Sequence, residues 1–415
     1  MQQAPPRVKT VPRARAGQLG PTQWAAYAAP MAGERAGGRR RSDTSRAGRV
    51  GDREEQGDTP VSTSRPRRVT LADVARKAGV SQTTASFVLS GRGEEMRISA
   101  QVEERVRRAV ESTGYRPNVI SRSLRTGSTQ TIGFVSDTIA TTPYAGHFIW
   151  GALDAAREND RLLLIAETES DLDLERRLLE TMRDRRVEGL ILASMYTRYA
   201  PAPVALLDGP SVLLNILPTK PCGVPCVIPD EAEAGRTVAR RILDAGHREG
   251  IYVVGVGISP ARVPKESVAA SERLRGMLEV LEAAGVELAG GEYLPDWQPS
   301  GGYQATNRIL RHRRRPEALS CFNDRISVGA FQALQDAGHA IGTDVSIVSF
   351  DDEPVASWLR PGLTSVALPH YELGRLAVEV LLGHAPHEQL IHRVAMPLRE
   401  RESVRASAPP PPPTP

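Results

Sequence analysis

The sequence predicts an α/β protein in which a helix-turn-helix domain precedes a core of two doubly wound α/β subdomains. Residues 69–89 read as two short helices joined by a glycine turn. From Thr131 onward, short aliphatic runs alternate with amphipathic helices, and the alternation restarts after Asp230. Alternating strands and helices favour a parallel sheet covered on both faces, so two such series predict two sheets.

The two short helices have matching signals at their ends. Thr70 can cap the first helix, and Gly79 supplies the tight turn that follows it. Ser81 can cap the second helix, whose Ala85 and Val88 form a buried stripe. This arrangement is typical of a helix-turn-helix, in which the second helix presents its first residues to base edges in the major groove. A generic helical hairpin has the same signals and is the alternative at this point.

A third helix and two further motifs favour the helix-turn-helix. Ser99 should cap a helix that carries a valine at every fourth position, and Gly114 should end it. The motifs GYRPN and SRSLR follow. Together with TLADVARKAGVSQTTASFVLSG, they resemble the lactose/galactose-repressor (LacI/GalR) family of transcription regulators. The resemblance implies a domain at 69–117 that binds double-stranded operator DNA.

Roles within this domain follow from position and chemistry. Gln82 and Thr83 match the family's specificity positions, and glutamine can pair with adenine through two hydrogen bonds. Hydroxyl side chains suit phosphate contacts, which fix register without reading sequence. Phe87 departs from an arginine found there in the family, and an aromatic ring can only contact a thymine methyl group or pack. The predicted DNA-binding residues of this domain are Thr70, Ser81, Gln82, Thr83, Thr84, Ser86 and Phe87.

Residues 118–128 are predicted to form a hinge helix and linker, in which Asn118 to Arg125 resemble the family's hinge helix and 126–128 form a flexible joint. In the family, this helix forms on the operator, where two copies from a dimer enter the minor groove and a leucine opens a base step. Leu124 matches that leucine, Ser121 stands where the family usually has alanine, and Asn118 begins the segment. These three residues are predicted DNA contacts, and a plain linker is the alternative.

Charge is distributed unevenly, although the net charge is only +4. Residues 1–68 hold 14 Arg and Lys against 6 Asp and Glu, residues 69–127 hold 10 against 6, and the remainder holds 29 against 37. A basic amino-terminal portion favours DNA binding, because cationic side chains displace counterions from phosphates. Residues 1–68 lack aliphatic periodicity, so we predict a disordered tail. A solvated basic arm or an over-extended gene start is the alternative to a functional tail.

The core is predicted to span residues 129–405. Strands are expected at TIGFVSD, LLLIAET, VEGLILAS, IYVVGV, SCFND and VSIVSFDD. Helices are expected at Phe148 to Glu158, Leu172 to Arg185, Glu231 to Ala245, Ser271 to Ala284 and Ile326 to Ala337. This half also resembles the family, whose regulatory core looks like a periplasmic sugar-binding protein. The resemblance implies an amino-terminal subdomain of 129–229 and 368–396 and a carboxyl-terminal subdomain of 230–367 and 397–405. A solvated, proline-rich tail should occupy 406–415.

Doubly wound units bind small ligands at the carboxyl ends of their strands. Asn323, Asp324, Asp351 and Asp352 end two predicted strands, and Asp324 and Asp352 are expected to cap the following helices instead of touching ligand. Residues that match the family's effector contacts are Tyr144, Phe148, Arg273, Trp297, Asn323 and Asp351. A purely structural role is the alternative for each of them.

Catalytic and cofactor signatures are missing from the sequence. It has neither a glycine-rich phosphate loop after a strand nor a GxSxG elbow, and Cys222 and Cys226 have no second pair for a metal. Three cysteines argue against a disulfide scaffold, and neither a signal peptide nor a membrane-spanning run is seen. We expect no cofactor, no metal and no enzyme activity, in a soluble, cytoplasmic, nucleoid-associated protein.

The function that these observations predict is a homodimeric repressor that binds a pseudo-palindromic operator. A small-molecule effector, expected to be a sugar, would bind between the core subdomains and change operator affinity. The alternatives are a cytoplasmic sugar-binding or carbohydrate-modifying protein without specific DNA recognition and a nucleoid-associated binder without an effector.

Overall fold

The computed structural model describes residues 69–115, 129–142, 145–259, 263, 267–312, 315–386 and 389–406. Several predictions fall outside these residues. They are the tail at 1–68, the hinge contacts Asn118, Ser121 and Leu124, the ligand contact Tyr144, and the proline-rich end from 407 onward.

Three helices form the amino-terminal domain: α1 (Leu71–Ala78), α2 (Gln82–Leu89) and α3 (Ala100–Thr113). Thr70 caps α1 in a reciprocal box, because its amide donates to Asp73 Oδ2 at 3.0 Å and its Oγ1 accepts from the Asp73 amide. Gly79 turns the chain with a φ of 65°, a conformation that disfavours residues with a Cβ. Ser81 caps α2 by accepting from the Thr84 amide at 2.9 Å. The predicted helix-turn-helix geometry is therefore present.

A small apolar core holds the three helices together. Its fully buried members include Val74 from α1, Ala85 from α2 and Val106 from α3. Since each helix contributes to one seam, the orientation of α2 is fixed by packing on its buried side. Its opposite side is left exposed.

The first sheet contains six parallel strands in the order β11-β5-β4-β3-β1-β2. These strands are β1 (Thr131–Ser136), β2 (Leu162–Glu167), β3 (Gly189–Ala200), β4 (Ser211–Pro218), β5 (Cys226–Pro229) and β11 (Ile391–Val394). The helices of this half are α4 (Gly146–Glu158), α5 (Leu172–Asp184) and α11 (His370–Leu381), with a 3₁₀ turn at Val204–Leu206. Helices α4 and α11 pack on each other.

The second sheet also has six strands, in the order β12-β10-β9-β8-β6-β7. They are β6 (Ile251–Gly255), β7 (Gly290–Tyr293), β8 (Ala318–Cys321), β9 (Ser346–Asp351), β10 (Thr364–Ala367) and β12 (Leu398–Arg399). Only the β10–β12 pair is antiparallel among the described strands. The helices here are α6 (Glu231–Asp244), α7 (Val268–Ala283), α8 (Pro299–Ile309), α9 (Asp324–Asp336) and α10 (Pro354–Trp358).

The chain passes between the two sheets three times. It leaves the first sheet after β5 and returns between β10 and α11, which packs against β4 and β5. It then runs from β11 in the first sheet to β12 in the second. Two doubly wound parallel sheets confirm the predicted fold class, whereas the strands β4, β5, β7, β10, β11 and β12 and the helices α8, α10 and α11 were not predicted.

Candidate functional site

The amino-terminal end of α2 presents polar side chains to solvent. Ser81, Gln82 and Thr83 are exposed, while Ala85 and Val88 face the small core. The Ser81 hydroxyl lies 2.8 Å from Thr84 Oγ1 in addition to capping the helix. Gln82 and Thr83 are therefore the side chains that project freely from the first turn, where a recognition helix contacts bases.

Phe87 lies on the flank of α2 and is half-buried. The guanidinium of Arg92 sits over its ring, 5.4 Å from the centroid. This distance is within the range of a cation–π contact. The ring therefore packs beneath a cation that the sequence did not predict, and Arg92 also pairs with Glu95 at 2.7 Å.

A cavity of about 590 Å³ lies between the two sheets. Its first wall comes from β3, β4, β5 and the start of α11, and its second wall from β6, β7, β9 and α7. Volumes of this size are typical of small-molecule sites. Arg273, Trp297 and Asp351 line it, whereas Phe148 and Asn323 are not among its lining residues.

Arg273 organises the second wall. Its Nε donates to Glu231 Oε2 at 2.6 Å, its Nη1 to the Phe322 carbonyl at 2.7 Å, and its Nη2 to Asp351 Oδ1 at 3.2 Å. Its guanidinium also lies 4.4 Å from the centroid of the Phe350 ring. The side chain is 3% exposed, so this ion pair network is buried. Burial raises the pKa of both Glu231 and Asp351.

Asn323, a predicted ligand contact, caps a helix beside the cavity. Its Oδ1 accepts from the Ile326 amide at 2.8 Å and so caps α9. Its Nδ2 donates to the Trp297 carbonyl at 3.3 Å. Trp297 adopts a φ of 46° and meets the edge of Phe322, with ring centroids 6.2 Å apart. Asn323 therefore fixes both the start of α9 and the backbone of Trp297.

Phe148, another predicted ligand contact, is not among the residues that line the cavity. It is fully buried among the core side chains of the first sheet, because its position on α4 turns it inward. Its ring packs on His370 at a centroid distance of 4.3 Å. His370, which the sequence reading missed, is the residue that lines the cavity at this point.

A bulge between β3 and β4 builds the first wall. Pairing is regular up to Ala193 and resumes at Arg198, so four residues of β3 lie opposite the single residue Asn215. The Asp137 carboxylate fixes this bulge by accepting from the Met195 amide at 2.9 Å and from the Ser194 hydroxyl at 2.7 Å. The bulge turns Met195, Tyr196 and Thr197 toward the cavity. The hydrophobic pattern of the sequence does not predict such a register shift.

Asp324 and Asp352 do not cap helices as predicted. Asp324 is buried and accepts from the Glu353 amide at 2.6 Å and the Ser365 hydroxyl at 2.8 Å. Asp352 pairs with Arg401 at 2.7 Å. Both carboxylates therefore connect neighbouring segments around the second sheet.

Two family models match separate parts of the chain. Residues 70–118 match the model of bacterial regulatory proteins of the lacI family, and residues 239–404 match a periplasmic binding protein-like domain. The ribose operon repressor of Escherichia coli K12 is 30% identical over 339 residues, which cover 81% of this chain and 96% of that relative. The chain belongs to the LacI family of bacterial regulatory proteins.

Solved structures agree with this LacI-family assignment. The Lac repressor dimer bound to operator and the anti-inducer ONPF aligns with a TM-score of 0.66 at 24% identity, over 82% of this chain and all of that one. The complex of the transcriptional regulator CelR with cellobiose aligns with a TM-score of 0.54 at 28% identity, over 81% of this chain and all of that one. This LacI-family protein is thus a DNA-binding transcription regulator and not an enzyme.

The described residues contain no group of three His, Cys, Asp or Glu side chains arranged to hold a metal ion. No helix among them is both long enough and apolar enough to cross a membrane. Burial raises the pKa of the Cys226 thiol in the LacI-family core to about 12, which keeps it protonated at neutral pH.

Proposed function

We propose that this protein is a homodimeric repressor whose affinity for a pseudo-palindromic operator is set by a small metabolite, a sugar, bound between its two sheets. The proposal is supported by the presence, in one chain, of an exposed polar helix end and a cavity of the size that binds small molecules. Gln82 and Thr83 project from the first turn of α2, and a cavity of about 590 Å³ receives walls from both sheets. A regulator needs one site for DNA and one for its signal.

Gln82 and Thr83 would read base edges, and Ser81, Thr84 and Ser86 would contact phosphates. Because a single helix-turn-helix domain reads only a few base pairs, two such domains related by a dimer axis would bind matched half-sites. Asn118, Ser121 and Leu124 would add minor-groove contacts through a hinge helix. Such a protein acts on chromosomal DNA in the cytoplasm.

The effector would close the cavity, because a ligand that contacts both walls favours the arrangement in which the walls lie close enough to contact it together. Trp297 and Arg273 contribute from the second wall, and Tyr196 and His370 from the first. A sugar is supported by the names of two relatives, a ribose operon repressor and a regulator solved with cellobiose.

Selection of bound DNA from a random pool tests the DNA half of the proposal. The full chain should enrich a pseudo-palindromic sequence, and Gln82→Ala should relax one position in each half-site. A bidentate base contact is worth about 1–3 kcal/mol, so affinity for the selected site should fall by about five- to 150-fold. Gln335→Ala, at an exposed glutamine on α9, is the matched control and should bind as the parent does.

Enrichment of no preferred sequence would contradict the proposal and support a sugar-binding protein without specific DNA recognition. Repeating the selection with a panel of sugars and nucleosides tests the effector half. If no metabolite lowers or raises the affinity for the selected site, the protein would be a DNA binder without an effector.

A further inference from the structure

Phe87 lies on the side of α2 that faces solvent. Successive residues of an α-helix are turned by about 100°, which places Phe87 one turn after Thr83 and away from the side formed by Ala85 and Val88. Those two residues are buried in the core of the three-helix domain, whereas Phe87 is half-buried and Thr83 is exposed. An aromatic ring on this side of a recognition helix either contacts a base or is covered by another part of the protein.

Arg92 covers this ring from the loop that follows α2. Its amide donates to the Phe87 carbonyl at 3.0 Å, and its guanidinium carbon lies 5.4 Å from the ring centroid. Glu95 holds the same guanidinium, because Nε donates to Oε2 and Nη2 donates to Oε1, both at 2.7 Å. The third nitrogen, Nη1, has no hydrogen-bond partner among the residues that the structure describes. The guanidinium is therefore oriented by protein groups and still has a donor to offer.

The loop that carries Arg92 is compact. The Met96 amide donates to the Arg92 carbonyl at 3.1 Å, and the Ile98 amide donates to the Gly93 carbonyl at 2.8 Å. Gly93 is buried, and a Cβ at this position would lie 1.8 Å from Glu103 Oε1 of α3. The loop thus packs on α3, and Arg92 has a defined place beside the recognition helix.

The ion pair between Arg92 and Glu95 is suited to exchange with a ligand. Its side chains are 48% and 59% exposed, and ion pairs as exposed as this contribute little to stability. Hydrogen bonds between the two groups raise the pKa of Arg92 and lower the pKa of Glu95, so both are charged at neutral pH. A phosphate can accept the same two parallel hydrogen bonds from a guanidinium as a carboxylate does. DNA can therefore take Arg92 from Glu95 with little loss of stability.

We propose that Arg92 contacts a backbone phosphate of the operator, that this phosphate replaces Glu95 in its hydrogen bonds, and that Phe87 positions the guanidinium without reading a base. This inference rests on the proposed function and adds to it a DNA contact outside α2. The first turn of a recognition helix contacts the bases. Arg92 lies beyond the opposite end of α2, which suits a contact to the backbone beside the groove and not to a base edge.

Operator titrations of the full chain at several salt concentrations test the phosphate contact. The DNA probes are the site that the parent selects and a duplex of scrambled sequence. Arg92→Ala should weaken binding to both duplexes by a similar factor. It should also lower the magnitude of the slope of log affinity against log salt concentration by about one, because one phosphate fewer is neutralised. Arg92→Lys should retain the parental slope, because it retains the charge.

Glu95→Gln should change the affinity in the opposite direction. A neutral glutamine competes less strongly for Arg92 than glutamate does, and it brings no negative charge close to the DNA. Binding of the selected site should become about two- to fivefold tighter, which corresponds to the strength of one exposed ion pair.

Phe87→Leu tests the positioning role of the ring. Leucine keeps an apolar side chain beside Arg92 but removes the π face, whose contact with a cation is worth about two- to fivefold at an exposed site. Phe87→Leu should weaken operator binding by this factor in the parent. In Arg92→Ala it should have no further effect, because no cation is left to position. The selected sequence should remain that of the parent.

Arg108→Ala is the matched control. Arg108 is another exposed arginine of this domain, and it pairs with Glu104 at 2.8 Å on α3. Its removal changes the net charge by the same amount as Arg92→Ala, but its affinity and salt dependence should stay close to those of the parent. Thermal unfolding should show that the variants remain folded, since exposed ion pairs add little to stability.

Three results would overturn the inference: a parental salt slope in Arg92→Ala, a changed selected sequence in Arg92→Ala or Phe87→Leu, or weaker binding in Glu95→Gln. These results differ from failure of the proposed function. A parent that selects no operator ends the proposed function. A parent that selects an operator, together with an Arg92→Ala variant that binds it equally well, overturns the phosphate contact alone.

Discussion

Three residues with unfavourable backbone conformations line the cavity. Asn215, Trp297 and Asp351 have φ values of 57°, 46° and 101°, and all three line it. Each such conformation costs about 1–3 kcal/mol in a residue with a Cβ. Surrounding contacts hold them there, such as the Asn323 amide on Trp297 and the Arg273 guanidinium on Asp351. These three conformations therefore lower stability at the wall of the cavity.

His370 should make stability depend on pH. Burial, together with His147, lowers its pKa in the folded protein to about 4, from about 6.5 in the unfolded chain. Between these values only the unfolded chain takes up the proton, so the folded state loses stability as pH falls from 6.5 to 4. Because His370→Phe lacks this titrating group, it should lose less stability than the parent in acid. The unfolding free energy of the variant minus that of the parent should rise by about 2 kcal/mol when the pH is lowered from 7 to 5.

Urea unfolding of parent and variant at both pH values measures this gain. The comparison is its own control, because burial raises the pKa of Asp324 and Glu231 in both proteins, and carboxyl groups with raised pKa gain stability as pH falls. Their contribution cancels in the difference. An equal loss of stability in parent and variant would contradict the assignment of a neutral, buried imidazole.

Family motifs indicate only part of the cavity lining. Arg273, Trp297 and Asp351 match family motifs, and all three line the cavity. Asn323 also matches a family position, but a residue that ends a strand can equally cap the next helix, and here it does. The predicted first-wall contacts were Tyr144 and Phe148, and the sequence carries no sign of the bulge that brings Thr197 and Asn215 to that wall.

At the scale of elements, glycines set the distance between packed helices. A Cβ on Gly235 of α6 would lie 2.0 Å from the Arg273 carbonyl of α7, and a Cβ on Gly276 of α7 would lie 1.9 Å from the Ala232 carbonyl of α6. The two helices can approach this closely only because both positions lack a side chain. The same reciprocal arrangement joins two other pairs of helices, through Gly151 and Gly374 and through Gly302 and Gly329.

Gly235→Ala should disturb both stability and effector binding. The new methyl group must push α7 away, and α7 carries Arg273, whose partner Glu231 begins α6. Overpacking of this kind costs about 1–3 kcal/mol. Chemical unfolding and titration with the effector would show a lower unfolding free energy and weaker binding.

Gly146→Ala is the control for this change. Gly146 is also a helical glycine, at the start of α4, but a Cβ there would meet nothing within 4 Å. It should leave effector binding unchanged and stability unchanged or slightly higher, since alanine favours a helix over glycine. Equal losses in both variants would mean that helix propensity, and not close packing, accounts for the effect.

The sequence identified the long, periodic elements better than the short ones. Helices α5 and α6 begin at the predicted residues because Asp171 and Asp230 cap them visibly. Strands of two to four residues carry no period, and their existence depends on distant partners. Strand β12 pairs through Ser365 with Arg399 and through Val366 with Leu398, a match that no local signal encodes.

At the scale of the whole molecule, the connection between the two sheets determines how a ligand in the cavity can act on both of them. Three passages of the chain link them, and the cavity receives side chains from both. His370 and Leu368 lie in the second passage and line the cavity directly. A ligand that bridges the walls can therefore bias how the two halves are arranged, to the extent that it binds one arrangement more tightly than the other.

Operator and effector should affect each other equally. If the effector changes operator affinity by some factor, the operator must change effector affinity by the same factor, because the four binding equilibria form a closed cycle. Couplings of this kind are usually about 5- to 150-fold. Effector titrations with and without saturating operator measure one side, and operator titrations with and without effector measure the other. Both the effector titrations and the operator titrations should be run at two protein concentrations. If the two changes in affinity are unequal and vary with protein concentration, the ligand acts by dissociating the dimer.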